Sequence, residues 1–226
     1  MSLIEKYAVG KSFADIGCMW GVNGSYAFLA EESGASRVVA VDIYPASEVF
    51  VSEANKRKSA VEFIQGDIHH RDLQSKIGVC DTVFCSGVLY HSPNPLDLLH
   101  KLRLICGEVL ILGTQLIPEM RGIRNTAVFY PFLDEKQRKI WNQGIGRQKS
   151  ITGPYESESG YGNWFWGFSP SCVESMLACA GFTIEERYKS GFIGYFVCRT
   201  GPVQFVPISG DWTTPSDENY LKFKRL

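Results

Sequence analysis

The chain has no Cys-x-x-Cys pair. Its seven cysteines, Cys18, Cys80, Cys85, Cys106, Cys172, Cys179 and Cys198, are odd in number and scattered. That pattern speaks against a disulfide framework or a zinc site and fits reduced thiols. No apolar run is long enough to span a bilayer, and the first residues show no signal-peptide pattern. A cytoplasmic protein with no membrane partner is expected. Excess charge is also missing. The net charge of -1 gives no overall attraction to nucleic acid or to a membrane surface. Internal repeats and low-complexity segments are absent. What the chain does have is apolar mass, with 45% hydrophobic and 13% aromatic residues over a length of 226. That is enough to build the core of one large domain or two small ones.

Short β-branched runs alternate with helical segments through the first half. Strands are expected at 13–16, 37–42, 61–65, 81–86 and 108–114. Helices are expected at about 25–32, 47–56 and 95–102. The strands are nearly continuous apolar runs, as in a sheet covered on both faces. Alternation of this kind builds a parallel sheet from right-handed crossovers. From Gln115 to Phe168 no clear strand is expected, only one amphipathic helix near Asp134–Asn142. A connection of that length inside a compact domain signals a functional insertion, here a cap. A helix then resumes with Ser169 as N-cap, Pro170 in the first turn, Ser171 and Glu174 at capping-box spacing, and Gly181 at its end. Two final strands, "FTIEERY" and "GYFVCR", are close enough for a hairpin, hence an antiparallel edge strand. The expected fold is α/β: a Rossmann-like, doubly wound, mostly parallel seven-stranded sheet, with a helical and aromatic cap after strand five. A single domain is expected over 1–200, with the cap at about 115–168 and a tail over 201–226.

The dinucleotide fingerprint is missing as well. It requires G-x-G-x-x-G after the first strand. Counting from Gly17, Met19 and Val22 stand where the later glycines belong. The chain has instead D-x-G-x-x-x-G, from Asp15, Gly17 and Gly21. Glycine there lets the backbone approach a ligand. An acid in the turn would repel a pyrophosphate and suit an ammonium group. Asp42 ends the second strand, where an acid can accept both ribose hydroxyls. Asp67 ends the third and can accept from an adenine amine, and Ile68 can pack on the ring. Ribose, adenine and an ammonium tail without phosphates describe S-adenosylmethionine, with S-adenosylhomocysteine as product. Bland alternatives stand beside each of these. A tight βα turn needs glycine without any ligand, Asp15 can bond turn amides, and acids often end strands as turn residues.

The ordered set Asp15, Gly17, Gly21, Asp42 and Asp67, followed by "CDTVFCSGVLYHSPNPLDLLHKL", resembles the class I S-adenosylmethionine-dependent methyltransferases. Within them, "DTVFCSGVLYHSPNPLDLL" and "NWFWGFSPSCVESMLACAGF" are similar to the methyltransferase-like domain of the tRNA wobble-uridine carboxymethyl-transferring enzymes and their relatives. The resemblance covers about 13–199. Those enzymes carry a long region ahead of this domain, whereas the first strand here starts near Phe13. They also have an arginine where this chain has Gly162, before Asn163. The resemblance therefore implies O- or N-methylation of a small-molecule acceptor by in-line transfer. The alternatives are a tRNA wobble-uridine modifying transferase, alone or with a partner, and a non-catalytic adenosine-cofactor-binding subunit. A nucleic-acid partner is the lesser expectation, and a homo-oligomer stays open.

Tyr90 and His91 follow the fourth strand, where the donor's reactive end should lie. His91 is the candidate base and Tyr90 the candidate pocket wall. Either residue could instead order its own turn. In "GYGNWFWGF", Tyr161, Trp164 and Trp166 are candidate substrate contacts, or they pack the cap onto the sheet. His69 and His70 read as surface residues and His100 as structural, with no metal site. The basic residues Arg121, Arg124, Lys136, Arg138, Lys139, Arg147 and Lys149 make the cap mildly basic.

Overall fold

The computed structural model describes residues 2–142 and 154–202. Arg147, Lys149 and nearly all of the expected tail lie outside them. Seven strands form one sheet: β1 (Ser12–Ile16), β2 (Arg37–Asp42), β3 (Glu62–Gln65), β4 (Cys80–Ser86), β5 (Cys106–Gln115), β8 (Phe182–Ser190) and β9 (Ile193–Thr200). Their order is β3-β2-β1-β4-β5-β9-β8. The first five strands are parallel. The antiparallel strand is β9, which lies between β5 and the edge strand β8. The strand order reverses between β1 and β4, which opens a crevice at their carboxyl ends.

Side-chain alternation along the strands splits the core in two. One face carries Ala14, Ile16, Val39 and Val41 against α4 (Arg71–Ile77), α5 (Pro95–Ile105) and α7 (Pro170–Cys179). The other carries Phe13, Val38 and Ala40 against α1 (Leu3–Ala8), α2 (Ser25–Glu32) and α3 (Glu48–Arg57). The central strands are buried on both faces, which accounts for their unbroken apolar sequence. Six of the seven cysteines are buried within these layers, and all seven are free thiols. No helix among the described residues is long and apolar enough to cross a membrane.

The cap differs from the sequence expectation. Besides α6 (Glu135–Asn142) it holds two strands, β6 (Ala127–Phe129) and β7 (Trp166–Phe168), paired antiparallel. Strands of three residues are too short to show alternation, so their pattern was invisible. The two ends of the cap are tied together just beyond β5, where the Ile117 N–H donates to the Phe168 carbonyl at 2.9 Å. The α7 capping box also differs. Ser169 alone caps the helix, accepting from the Cys172 N–H. Ser171 bonds Glu119 through its N–H and its hydroxyl, and Glu174 pairs with Arg187.

Candidate active site

A cavity of about 470 Å³ opens at the carboxyl ends of β1, β2, β3 and β4. Its floor is the turn after β1. Gly17 holds φ +84°, and a Cβ there would stand 2.3 Å from Val88 Cγ2. Only glycine lets the loop after β4 close against this turn. The Gly17 N–H donates to the Val41 carbonyl at 2.8 Å, tying the turn to β2.

Two carboxylates line the cavity at successive strand ends. Asp42 accepts the Met19 N–H at 2.7 Å on one oxygen and the Tyr44 N–H at 2.9 Å on the other. Asp67 accepts the His69 N–H at 2.9 Å and the Tyr161 hydroxyl at 2.7 Å. Burial and the bond to Asp67 push the Tyr161 hydroxyl up, so it stays the donor. Each carboxylate oxygen has lone pairs to spare for a further donor. Asp15 lies behind Gly17, fully buried, with Oδ2 lacking any hydrogen-bond partner. Burial pushes its carboxyl up to about 7, the Ala27 N–H opposes this, and the charge of Asp42 adds to it. No lysine or arginine is among the described residues that line the cavity.

On the other side stands the short 3-10 turn Leu89–His91 after β4. His91 Nδ1 lies 2.8 Å from the Asn163 carbonyl. A carbonyl only accepts, so Nδ1 carries the proton in the neutral ring and Nε2 carries a lone pair. Burial lowers the His91 pKa, which keeps the ring neutral at pH 7, and the Asn163 bond opposes this in part. Asn163 is itself fixed. Its side-chain amide donates to the Glu156 and Gly160 carbonyls at 2.7 and 3.0 Å. Tyr90 packs on Trp164 with ring centroids 4.1 Å apart, and its carbonyl accepts the Phe165 N–H. Burial, with Tyr195 nearby, pushes the Tyr90 hydroxyl up to about 12, so it is not a base at neutral pH.

Eight of the sequence candidates therefore meet at one cavity: Gly17, Asp42, Asp67, Ile68, Tyr90, His91, Tyr161 and Trp164. Asp15, Gly21 and Trp166 do not line it. Gly21 sits in the turn at φ +72° with open space around it. Trp166 stacks on Phe168 and donates to the Pro93 carbonyl, packing the cap onto the sheet. Tyr161 stands with Asp67 rather than with Trp164. His69 is not a surface residue. It lines the cavity and is held by Asp97 and Ser92, while His70 is exposed. Sequence reasoning missed Trp20, Tyr26, Tyr44, Ser92 and Tyr195, which also line the cavity. Trp20, an exposed tryptophan inside a glycine turn, was the one visible signal.

A doubly wound sheet with acids at the ends of β2 and β3 and no phosphate fingerprint defines a nucleoside-cofactor domain. A methyltransferase-domain family model matches residues 14–106. The tRNA U34 carboxymethyltransferase of Colwellia psychrerythraea is 30% identical over 138 residues, covering 58% of this chain and 39% of that protein. The enzyme of the same name from Campylobacter curvus is 34% identical over 118 residues, covering 50% and 37%. The matched part is thus about two fifths of those relatives' length. Among solved structures, a Burkholderia thailandensis 1,6-didemethyltoxoflavin-N1-methyltransferase superposes with TM-score 0.58 at 15% identity, covering 88% of this chain and 79% of that one. A Synechocystis magnesium protoporphyrin IX methyltransferase gives 0.55 at 16%, covering 87% and 77%. Both contain S-adenosylhomocysteine. Residues 14–106 thus match a methyltransferase domain, and the fold is that of S-adenosylmethionine-dependent methyltransferases.

Proposed function

We propose that the chain methylates an oxygen or nitrogen of a small, uncharged acceptor, with S-adenosylmethionine as donor. The observation that carries this is the pair Asp42 and Asp67 beside a close-approach glycine turn, in a cavity that no described lysine or arginine lines. Such a site suits a sulfonium and an ammonium group and resists phosphate or an added carboxylate. Asp42 would hold the ribose hydroxyls, Asp67 the adenine amine and Ile68 the ring face. The orphaned Asp15 oxygen, buried behind the turn, offers an acceptor only to a bridging water.

Bound there, the donor supplies an electrophilic methyl group. The protein's own task is to align the acceptor and exclude water. Tyr90, Trp164 and Tyr195 give an uncharged aromatic wall for a flat acceptor. His91 Nε2, with its lone pair, takes the proton of a hydroxyl acceptor, and Asn163 fixes the ring that does so.

The test is a thermal-shift titration with S-adenosylmethionine, S-adenosylhomocysteine and the carboxylated donor analogue, on parent and Asp42→Ala. Ligand at about a hundred times its Kd adds roughly 2.7 kcal/mol, a Tm rise of about 5–11 °C at this chain length. A rise with the first two ligands, lost in Asp42→Ala, is expected. A larger rise with the carboxylated analogue would favour carboxymethyl transfer, the activity named in the curated relatives. No rise with any of them would refute the donor assignment.

A further inference from the structure

Three side chains with no role so far form a hydrogen-bonded row at the edge of the cavity. His69 Nδ1 bonds Asp97 Oδ2, and His69 Nε2 lies 3.0 Å from Ser92 Oγ. The carboxylate holds the proton on Nδ1, so Nε2 accepts the Ser92 hydroxyl. The order Asp-His-Ser is that of an acyl-transfer triad. Here, however, Ser92 is buried, and its oxygen already accepts the Asn94 N–H at 3.2 Å. The row is built to hold rather than to attack.

What it holds is the loop after β3. Asp97 belongs to the first turn of α5 and Ser92 to the loop after β4. The His69 ring ties both to the residue whose main-chain N–H donates to Asp67. From the cap side, the Tyr161 hydroxyl clamps the other oxygen of Asp67. The His69 and Tyr161 rings lie near parallel, at 12°, with centroids 6.3 Å apart. Asp67 is thereby fixed in direction from both sides.

We propose that His69, through Asp97 and Ser92, is a positioning residue that makes the site demand an exocyclic amine at position 6 of the donor's purine. This rests on the donor assignment above. A fixed carboxylate accepts an amine N–H and repels a 6-oxo group. A carboxylate free to turn can rotate away, hydrate and tolerate either.

Calorimetric titration of S-adenosylhomocysteine and its 6-oxo analogue, S-inosylhomocysteine, tests this on parent, His69→Ala, His69→Gln and Tyr161→Phe. The parent should prefer the adenosyl ligand by about a hundredfold, the scale of one lost bond plus an unpaired buried acceptor. In His69→Ala the preference should fall below about tenfold, chiefly through weaker adenosyl binding, and His69→Gln should restore part of it. Tyr161→Phe removes a single hydroxyl and should lower the preference in the same direction. An equal loss of both ligands in His69→Ala, or an unchanged ratio in both His69→Ala and Tyr161→Phe, would overturn the positioning role and leave the donor assignment intact. Failure of the parent to bind either nucleoside would overturn both.

Discussion

As pH rises through neutrality, Asp15 takes on a charge that its surroundings resist. The carboxyl is fully buried, one oxygen has no partner, and Asp42 adds a like charge nearby. Its folded pKa of about 7 stands against an ordinary 3.8. The folded state thus binds a proton more tightly than the unfolded chain. The stability this gives is fully present below pH 3.8 and is lost as pH rises through 7. The slope is about 1.4 kcal/mol per pH unit, and the full loss is on the order of 4 kcal/mol. Asp15→Asn keeps an acceptor for the Ala27 N–H and removes the titration. Urea denaturation of both proteins from pH 4 to pH 8 isolates this contribution, because every other titrating group is shared. The parent should lose about 4 kcal/mol relative to the variant over that range, whatever their offset at pH 4. The variant should also lose affinity for S-adenosylmethionine. Parallel curves for the two proteins would refute the account of a strained acid beneath the glycine turn.

His91→Ala should lower turnover of a hydroxyl acceptor by about 10²- to 10⁴-fold while changing donor affinity little, and equal turnover would remove His91 as base. Because burial lowers the His91 pKa, the acid limb of kcat/KM should lie below the ordinary 6.5, and a limb above it would contradict the buried neutral ring. Gly17→Ala should abolish donor binding and destabilise the fold, since the new Cβ meets Val88 at a left-handed backbone position. Wild-type affinity and Tm in that variant would show that the loops do not need to approach so closely.

The sheet was legible because its central strands are buried on both faces and so carry unbroken apolar runs. Part of the candidate cavity was legible because a turn that closes against a neighbouring loop needs glycine, as at Gly17, and the acids Asp42 and Asp67 stand at successive strand ends. Short elements left little trace. Helix α1 announces itself only by the Ser2–Glu5 capping box, and β6 and β7 are three residues each. Contacts distant in sequence left none. The partners of His69 stand 23 and 28 positions away, so its neighbour His70 was the misleading guide. In the aromatic run, Trp164 and Trp166 share one motif but not one environment. Trp164 turns to Tyr90 and the cavity, and Trp166 turns to Phe129 and Phe168. Composition cannot separate two such residues; only the path of the chain does.

Residues 163–165 are stitched to the loop after β4 at both ends: the Asn163 carbonyl accepts the His91 Nδ1–H, and the Phe165 N–H donates to the Tyr90 carbonyl. A segment 72 residues further along the chain thus sets the tautomer of a residue in the turn after β4. A chimera that grafts a foreign segment onto this sheet would carry off the orientation of His91, unless the graft keeps a carbonyl where that of Asn163 stands. Side-chain changes on the existing segment leave that carbonyl, and with it the tautomer, in place.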